Sequence, residues 1–176
     1  LFYQESSIFQ IPIFKNFNYG MDLSSTIALN DSLPIMAFIF KLFQNILPVN
    51  SQYFGLWILI CFFLQSFFAI KLLSKFSNDT YIIILYSVFF LLAPIFLWRL
   101  WGHYSLMAHW LILGSLNIYF SRNFKFKNWI IIFFFSYLTS AYIAVMMFIV
   151  FATDLFKRIT AKEVNLLKVF KLSLIF

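Results

Sequence analysis

The apolar positions of this chain gather into long blocks separated by short polar turns, a pattern that predicts membrane-length helices. Tyr53 to Leu73 and Tyr81 to Trp98 are each long enough to span a bilayer, with Pro94 expected to kink the last turn of the second. Ser105 to Phe120 is somewhat shorter. Trp129 to Phe156 is longer, and Thr139-Ser140-Ala141-Tyr142 interrupts it at its middle. The expected elements are thus spans at 54–73, 81–98 and 105–120, a broken segment at 129–156, and the start of another span at 165–176.

Residues 1–53 are more polar and hold Glu5, Asp22 and Asp31. Ser7 to Phe14 is short and interrupted by Pro12, so it reads as an extended segment. Asn30-Asp31-Ser32-Leu33-Pro34 is a helix-start signal: Asp31 or Ser32 can accept from orphan N–H groups, and Pro34 suits the first turn. A helix over 33–47, stopped by Pro48, would reach only about 22 Å at ~1.5 Å per residue, too short to cross comfortably. It is expected to lie in the membrane interface or dip into it.

Composition agrees with the blocks. The chain is 63% hydrophobic and 11% charged, whereas a soluble domain carries about 25% charged residues. The net charge of +7 comes from short basic clusters beside apolar spans, which mark topology and lipid headgroups and argue against a nucleic-acid partner. Cys61 is the single cysteine, so no internal disulfide forms. The chain opens on Leu1 without Met and stops at Phe176 inside an apolar block, and so reads as a piece of a larger protein.

Lys and Arg set the orientation. Lys71, Lys75, Arg122, Lys125 and Lys127 fall on one side, which the positive-inside rule makes cytoplasmic; residues 1–53 and the Arg99–Tyr104 turn are then extracytoplasmic. If 129–156 crossed once, only those five of the 13 basic residues would lie inside. If it folds back near Ser140, Lys157, Arg158, Lys162, Lys168 and Lys171 join them, leaving Lys15, Lys41 and Arg99 outside. The second arrangement predicts a helical hairpin with its tip at 139–142, buried in protein or lining a wet cavity.

Both histidines sit in Arg99-Leu-Trp-Gly-His-Tyr-Ser-Leu-Met-Ala-His-Trp110, between two apolar blocks. Ionisable side chains near hydrocarbon persist mainly where they have partners or a task. Arg99 and His103 share a face if the helix continues through Gly102, and together they suit an anionic group such as a lipid-linked phosphate. His103 and His109 are six apart and do not chelate a metal, and no Cys or carboxylate stands nearby. No metal site is assigned, although a divalent metal supplied from elsewhere is not readable. The plainer alternative has Arg99 snorkelling to headgroups, Trp98 and Trp101 in an aromatic belt, and His109 bonded to another helix. Asp31 is likewise either a helix cap or a surface carboxylate that binds a sugar hydroxyl or an amine. Asp154 most simply pairs with Lys157 or Arg158.

Three blocks together carry a resemblance: Asn30-Asp-Ser-Leu-Pro-Ile-Met-Ala37 with Phe40-Lys41; Gln52-Tyr-Phe-Gly-Leu-Trp57; and Arg99 with Gly102-His103 and His109-Trp110. They resemble an uncharacterised family of bacterial multi-pass membrane proteins that is similar to the GT-C glycosyltransferases, over most of residues 1–156. The resemblance implies an all-α polytopic enzyme of the bacterial plasma membrane. It would take sugar from a polyprenyl-phosphate donor on the extracytoplasmic face and pass it to a glycan or lipid acceptor of the cell envelope. It also implies an extracytoplasmic loop with short juxtamembrane helices. The catalytic carboxylate is expected upstream of Leu1 and is assigned to no residue here. Arg99 and His103 are the candidate donor-phosphate ligands, and Asp31 and His109 are further candidate polar residues of the site. No cofactor is assigned. A transporter or flippase of a lipid-linked glycan shares the need for cations facing a lipid phosphate, and a non-catalytic membrane scaffold is the third alternative.

Overall fold

The computed structural model describes residues 11–12, 15–16, 25–26, 33–48 and 51–163. Asp31 and Ser32, most of the Ser7–Phe14 segment and the block at 165–176 lie outside the described residues. A two-residue antiparallel ladder, β1 (Lys15–Asn16) and β2 (Ser25–Thr26), pairs Lys15 with Thr26 and Asn16 with Ser25. All else of regular structure among the described residues is helical.

The first helix, α1 (Pro34–Leu42), begins at the expected proline, and the expected caps Asp31 and Ser32 lie outside the described residues. Leu33 takes the cap position in the left-handed region, at φ 48° and ψ 72°, with no side-chain bond to the helix. Proline disfavours the right-handed helical region for the residue before it, which accounts for Leu33 leaving that region. The orphan N–H of Ile35 donates to the carbonyl of Leu138, at 2.9 Å, so one of the first-turn donors is met by a distant part of the chain. The helix also ends at Leu42, short of the expected 47. Residues 43–47 form successive turns, bonded Phe43 N–H to Phe40 O and Gln44 N–H to Lys41 O, and the chain has left the helix well before Pro48.

Helix α2 (Phe54–Leu73) coincides with the first expected span. The second expected span is divided. Helix α3 (Thr80–Leu91) starts on Asp79, whose carboxylate accepts from the N–H groups of Tyr81 and Ile82, and it stops three residues before Pro94. Pro94 then opens a new short helix, α4 (Pro94–Trp98), with Ala93 extended ahead of it. The expected kink is therefore a full break, because proline offers no N–H to continue the ladder and excludes the helical region at Ala93. Two 3₁₀ turns follow, Arg99–Trp101 and Tyr104–Met107. Helix α5 (His109–Tyr119) begins four residues later than the expected start at 105. The segment expected at 129–156 is two helices, α6 (Phe126–Tyr137) and α7 (Ala141–Thr160), separated by Leu138–Ser140 and packed on each other.

The core lies where α2, α5, α6 and α7 meet, around Trp57, Cys61, Leu111, Trp129, Ile143 and Met147. Gly114 lets α5 approach its neighbours closely: a Cβ there would stand 2.7 Å from Cδ1 of Ile132 and 3.5 Å from the Phe68 ring. Buried amides tie helices together. Asn117 Nδ2 donates to the carbonyl of Phe68 on α2 at 3.0 Å, and Gln65 Nε2 donates to that of Phe90 on α3 at 3.3 Å. In an apolar bundle such side-chain bonds add about 0.6 kcal/mol each on average.

Candidate functional site

The bundle has two chemically different ends. At one, the start of α2, the turns after α4, the start of α5 and the tip of the α6–α7 hairpin come together. Trp57 Nε1 donates to the carbonyl of Tyr104 at 2.8 Å, and the rings of Phe40, Tyr53, Phe54 and Tyr104 touch in series at centroid distances of 4.9–5.2 Å. The Ile35–Leu138 bond brings α1 and the hairpin tip to the same end. Thr139 and Ser140 at that tip are buried in protein.

Arg99 and His103 lie here, but not on one helical face. Gly102, at φ 147°, is in a conformation that L side chains rarely adopt, and it ends the first 3₁₀ turn. The chain still closes locally, because His103 N–H donates to the carbonyl of Arg99 at 3.2 Å. Arg99 is half-buried and its Nε atom is buried without a hydrogen-bond partner. His103 is exposed. The helix wheel missed the nearness of His109, which is half-buried against the Phe96 ring at 5.7 Å and within electrostatic reach of Arg99. Arg99 and His109 thus stand together, with His103 on the rim. Trp98 and Trp101 are exposed beside it, as are Tyr137 and Tyr142 on either side of the hairpin tip.

Chemically, a guanidinium with an unsatisfied donor and no acidic partner among the described residues suits an anion that supplies acceptor oxygens. No group of three or more His, Cys, Asp or Glu among the described residues is placed to hold a metal ion.

The opposite end holds Lys71, Lys75, Arg122, Lys125, Lys127, Lys157, Arg158 and Lys162. Its most connected feature is a buried ion pair. Arg158 Nε donates to Asp154 Oδ1 at 2.9 Å, one helical turn apart, and both residues are nearly inaccessible. The other carboxylate oxygen accepts from Trp129 Nε1 at 3.1 Å. The rest of the guanidinium donates to the carbonyls of Ser121 at 2.8 Å and Arg122 at 3.3 Å and to Glu163 at 3.0 Å, with Phe124 beneath it. Sequence spacing narrowed the partner of Asp154 to Lys157 or Arg158, and the structure selects Arg158. The contribution of Trp129 and the two carbonyls carried no sequence signal.

Taken together, the described residues form a mostly helical, all-α protein in which two helical stretches, Phe54–Leu73 and Thr80–Trp101, are long and apolar enough to cross a membrane. The model of one family, a domain of unknown function (DUF6311), matches residues 1–176, and the chain belongs to that family. No curated protein and no solved structure matches it.

Proposed function

We propose that this chain forms part of a multi-pass protein of the bacterial plasma membrane, with the Arg99 end outside and the lysine-rich end in the cytoplasm. Further, it acts in a GT-C-like transfer of sugar from a polyprenyl-phosphate donor to a cell-envelope glycan or lipid. The membrane reading is supported by the distribution of surface residues. Exposed Leu59, Phe63, Ile84, Leu85 and Phe89 lie between two ends that each carry exposed aromatic rings, Trp98, Trp101, Tyr137 and Tyr142 at one and Phe76 and Tyr81 at the other. Basic residues concentrated at one end agree with the positive-inside rule.

The transfer reading rests on one observation, the half-buried Arg99 whose Nε lacks a partner at the outer end. Cleaving a sugar from a lipid phosphate leaves charge on the departing phosphate oxygens. A guanidinium already in place lowers that cost more than water can, because it need not reorient during the reaction. His109, close by, and His103, on the rim, add ring N–H donors that a phosphate oxygen can accept from. The acid or base that activates the acceptor is assigned to no residue of this chain, and Asp31 lies outside the described residues.

The test is transfer from a radiolabelled polyprenyl-phosphate sugar by the full-length protein in membranes. Arg99→Ala should lower the rate about 10²-fold, the scale of losing one preorganised donor to a developing charge. Arg99→Lys should restore only part of it. Transfer that survives Arg99→Ala and His103→Ala unchanged overturns the assignment. Movement of the labelled lipid across the bilayer without transfer would favour the flippase alternative, which rests on the interrupted hairpin at 138–140.

A further inference from the structure

At the lysine-rich end, the cations outnumber the acids that are free to meet them. Asp79 is committed to the N-terminus of α3, and Asp154 and Glu163 are committed to Arg158. The exposed cations are not spread evenly. Lys75, from the turn after α2, places its Nζ 2.8 Å from the carbonyl of Asn117. Lys157, from α7, places its Nζ 4.4 Å from the centre of the Tyr119 ring. Two ammonium groups from separate elements therefore converge on the last turn of α5, where Lys75 meets the Asn117 carbonyl and the macrodipole is negative. Lys71 stands one turn before Lys75, over the Phe67 ring at 5.7 Å. Burial, and then the Lys71 charge, hold the Lys75 ammonium below its ordinary value.

Beside these lysines the surface is apolar. Phe76 and Phe120, both exposed, stack edge to face at 5.1 Å between the two lysine-bearing elements. A soluble polyanion would meet the charges but gain nothing from the rings. A phospholipid matches both, with its phosphate on the ammonium groups and its glycerol and upper acyl carbons on the rings.

We propose that Lys71, Lys75 and Lys157, grouped round the C-terminal turn of α5 with Phe76 and Phe120 beneath them, bind the headgroup of an anionic phospholipid of the cytoplasmic leaflet. The site rests on the membrane embedding proposed above and is independent of the sugar-transfer reading. Its test contains no sugar donor, so the two fail separately.

The full-length protein is purified in a neutral detergent, and dioleoyl phosphatidylglycerol or dioleoyl phosphatidylcholine is titrated in, with bound lipid counted by native mass spectrometry. Phosphatidylglycerol should bind at least tenfold more tightly than phosphatidylcholine. The double variant Lys75→Gln/Lys157→Gln should lose most of that preference. Lys125→Gln/Lys127→Gln, which removes the same charge from the same end, should keep it. Lys157→Gln alone removes no hydrogen bond and guards against misfolding of the double variant; it should lower the preference at least threefold. Equal loss in the two double variants would mean diffuse attraction and would overturn the site. So would wild-type protein that does not distinguish the two lipids, or an unchanged preference in Lys157→Gln.

Discussion

Removing Arg158 isolates a buried carboxylate, and the size of the effect can be worked from its contacts. Arg158→Ala deletes the 2.9 Å bond to Asp154 and leaves that side chain, inaccessible to solvent, with only the Trp129 N–H. Breaking a buried pair from one side costs about 3–5 kcal/mol, because the remaining charge keeps its desolvation penalty. The bonds to Ser121 and Arg122 add little, since that turn is partly open and water can replace the lost donor. Glu163 is 54% exposed at its side chain, so its share is within about 1 kcal/mol. The net expectation is about 3–5 kcal/mol, a hundredfold or more in the unfolding equilibrium. Asp154→Leu/Arg158→Met removes both charges and keeps apolar volume, so it should be far less damaging than the sum of the single variants. Reversible denaturation of the purified protein in mixed micelles measures the four corners of this cycle, wild type, Asp154→Leu, Arg158→Met and the double variant, with Arg158→Ala beside them. A cost below 1 kcal/mol for Arg158→Ala, or simple additivity in the cycle, would show that the pair is open to water and would refute the reasoning.

Two smaller perturbations probe the packing and the Arg99 turn. Gly114→Ala should change stability by less than about 1 kcal/mol, because the gain in helix propensity offsets the shift of one Ile132 methyl group, whereas Gly114→Leu should cost about 1–3 kcal/mol by overpacking, both read in the same denaturation experiment. Trp57→Phe removes the 2.8 Å bond to Tyr104 O and should cost about 1 kcal/mol. Hydrogen exchange should then quicken in the 104–107 turn, and unchanged protection there would mean the turn is held by other contacts.

Helix content was legible in the sequence because long apolar blocks leave little alternative, and α2 follows its block almost residue for residue. The break inside 129–156 was legible for a different reason: basic residues on both flanks are hard to reconcile with a single crossing. What sequence patterns did not supply were the ends of elements that depend on distant partners. The N–H of Ile35 at the start of α1 is met by Leu138, more than a hundred residues away, a partner that no local cap signal announces. The Arg99–His103 pairing assumed that the helix continued through Gly102; a positive φ removes that assumption, and no periodicity rule detects it. The approach of His109 to Arg99 depends in turn on where two 3₁₀ turns point α5. Asp154 with Arg158 was the easier case, since i,i+4 spacing on one helix is local information.

The three sequence blocks Asn30–Ala37, Gln52–Trp57 and Arg99–Trp110 are separated by long stretches of chain, and each could have been explained by its own helix. Asn30–Ala37 would then matter only for starting α1, Gln52–Trp57 for entering α2, and Arg99–Trp110 for turning between α4 and α5. The contacts argue otherwise. Trp57 of the second block bonds the backbone of Tyr104 within the third, and Phe40, next to the first block, touches Tyr53 of the second. Ile35 of the first block is bonded to the hairpin tip at the same end. Helix ends that served only local needs would have no reason to converge. Their convergence at the end that also holds Arg99, whose Nε lacks a partner, gives that end a built floor of packed rings and fixed turns. Such support is what a charged group needs if it is to be held ready for an anion, since a guanidinium on a loose turn would spend its donors on water. The Trp57→Phe variant therefore bears on the site as well as on stability: if that floor positions Arg99, the proposed sugar transfer should fall in this variant even where the protein remains folded.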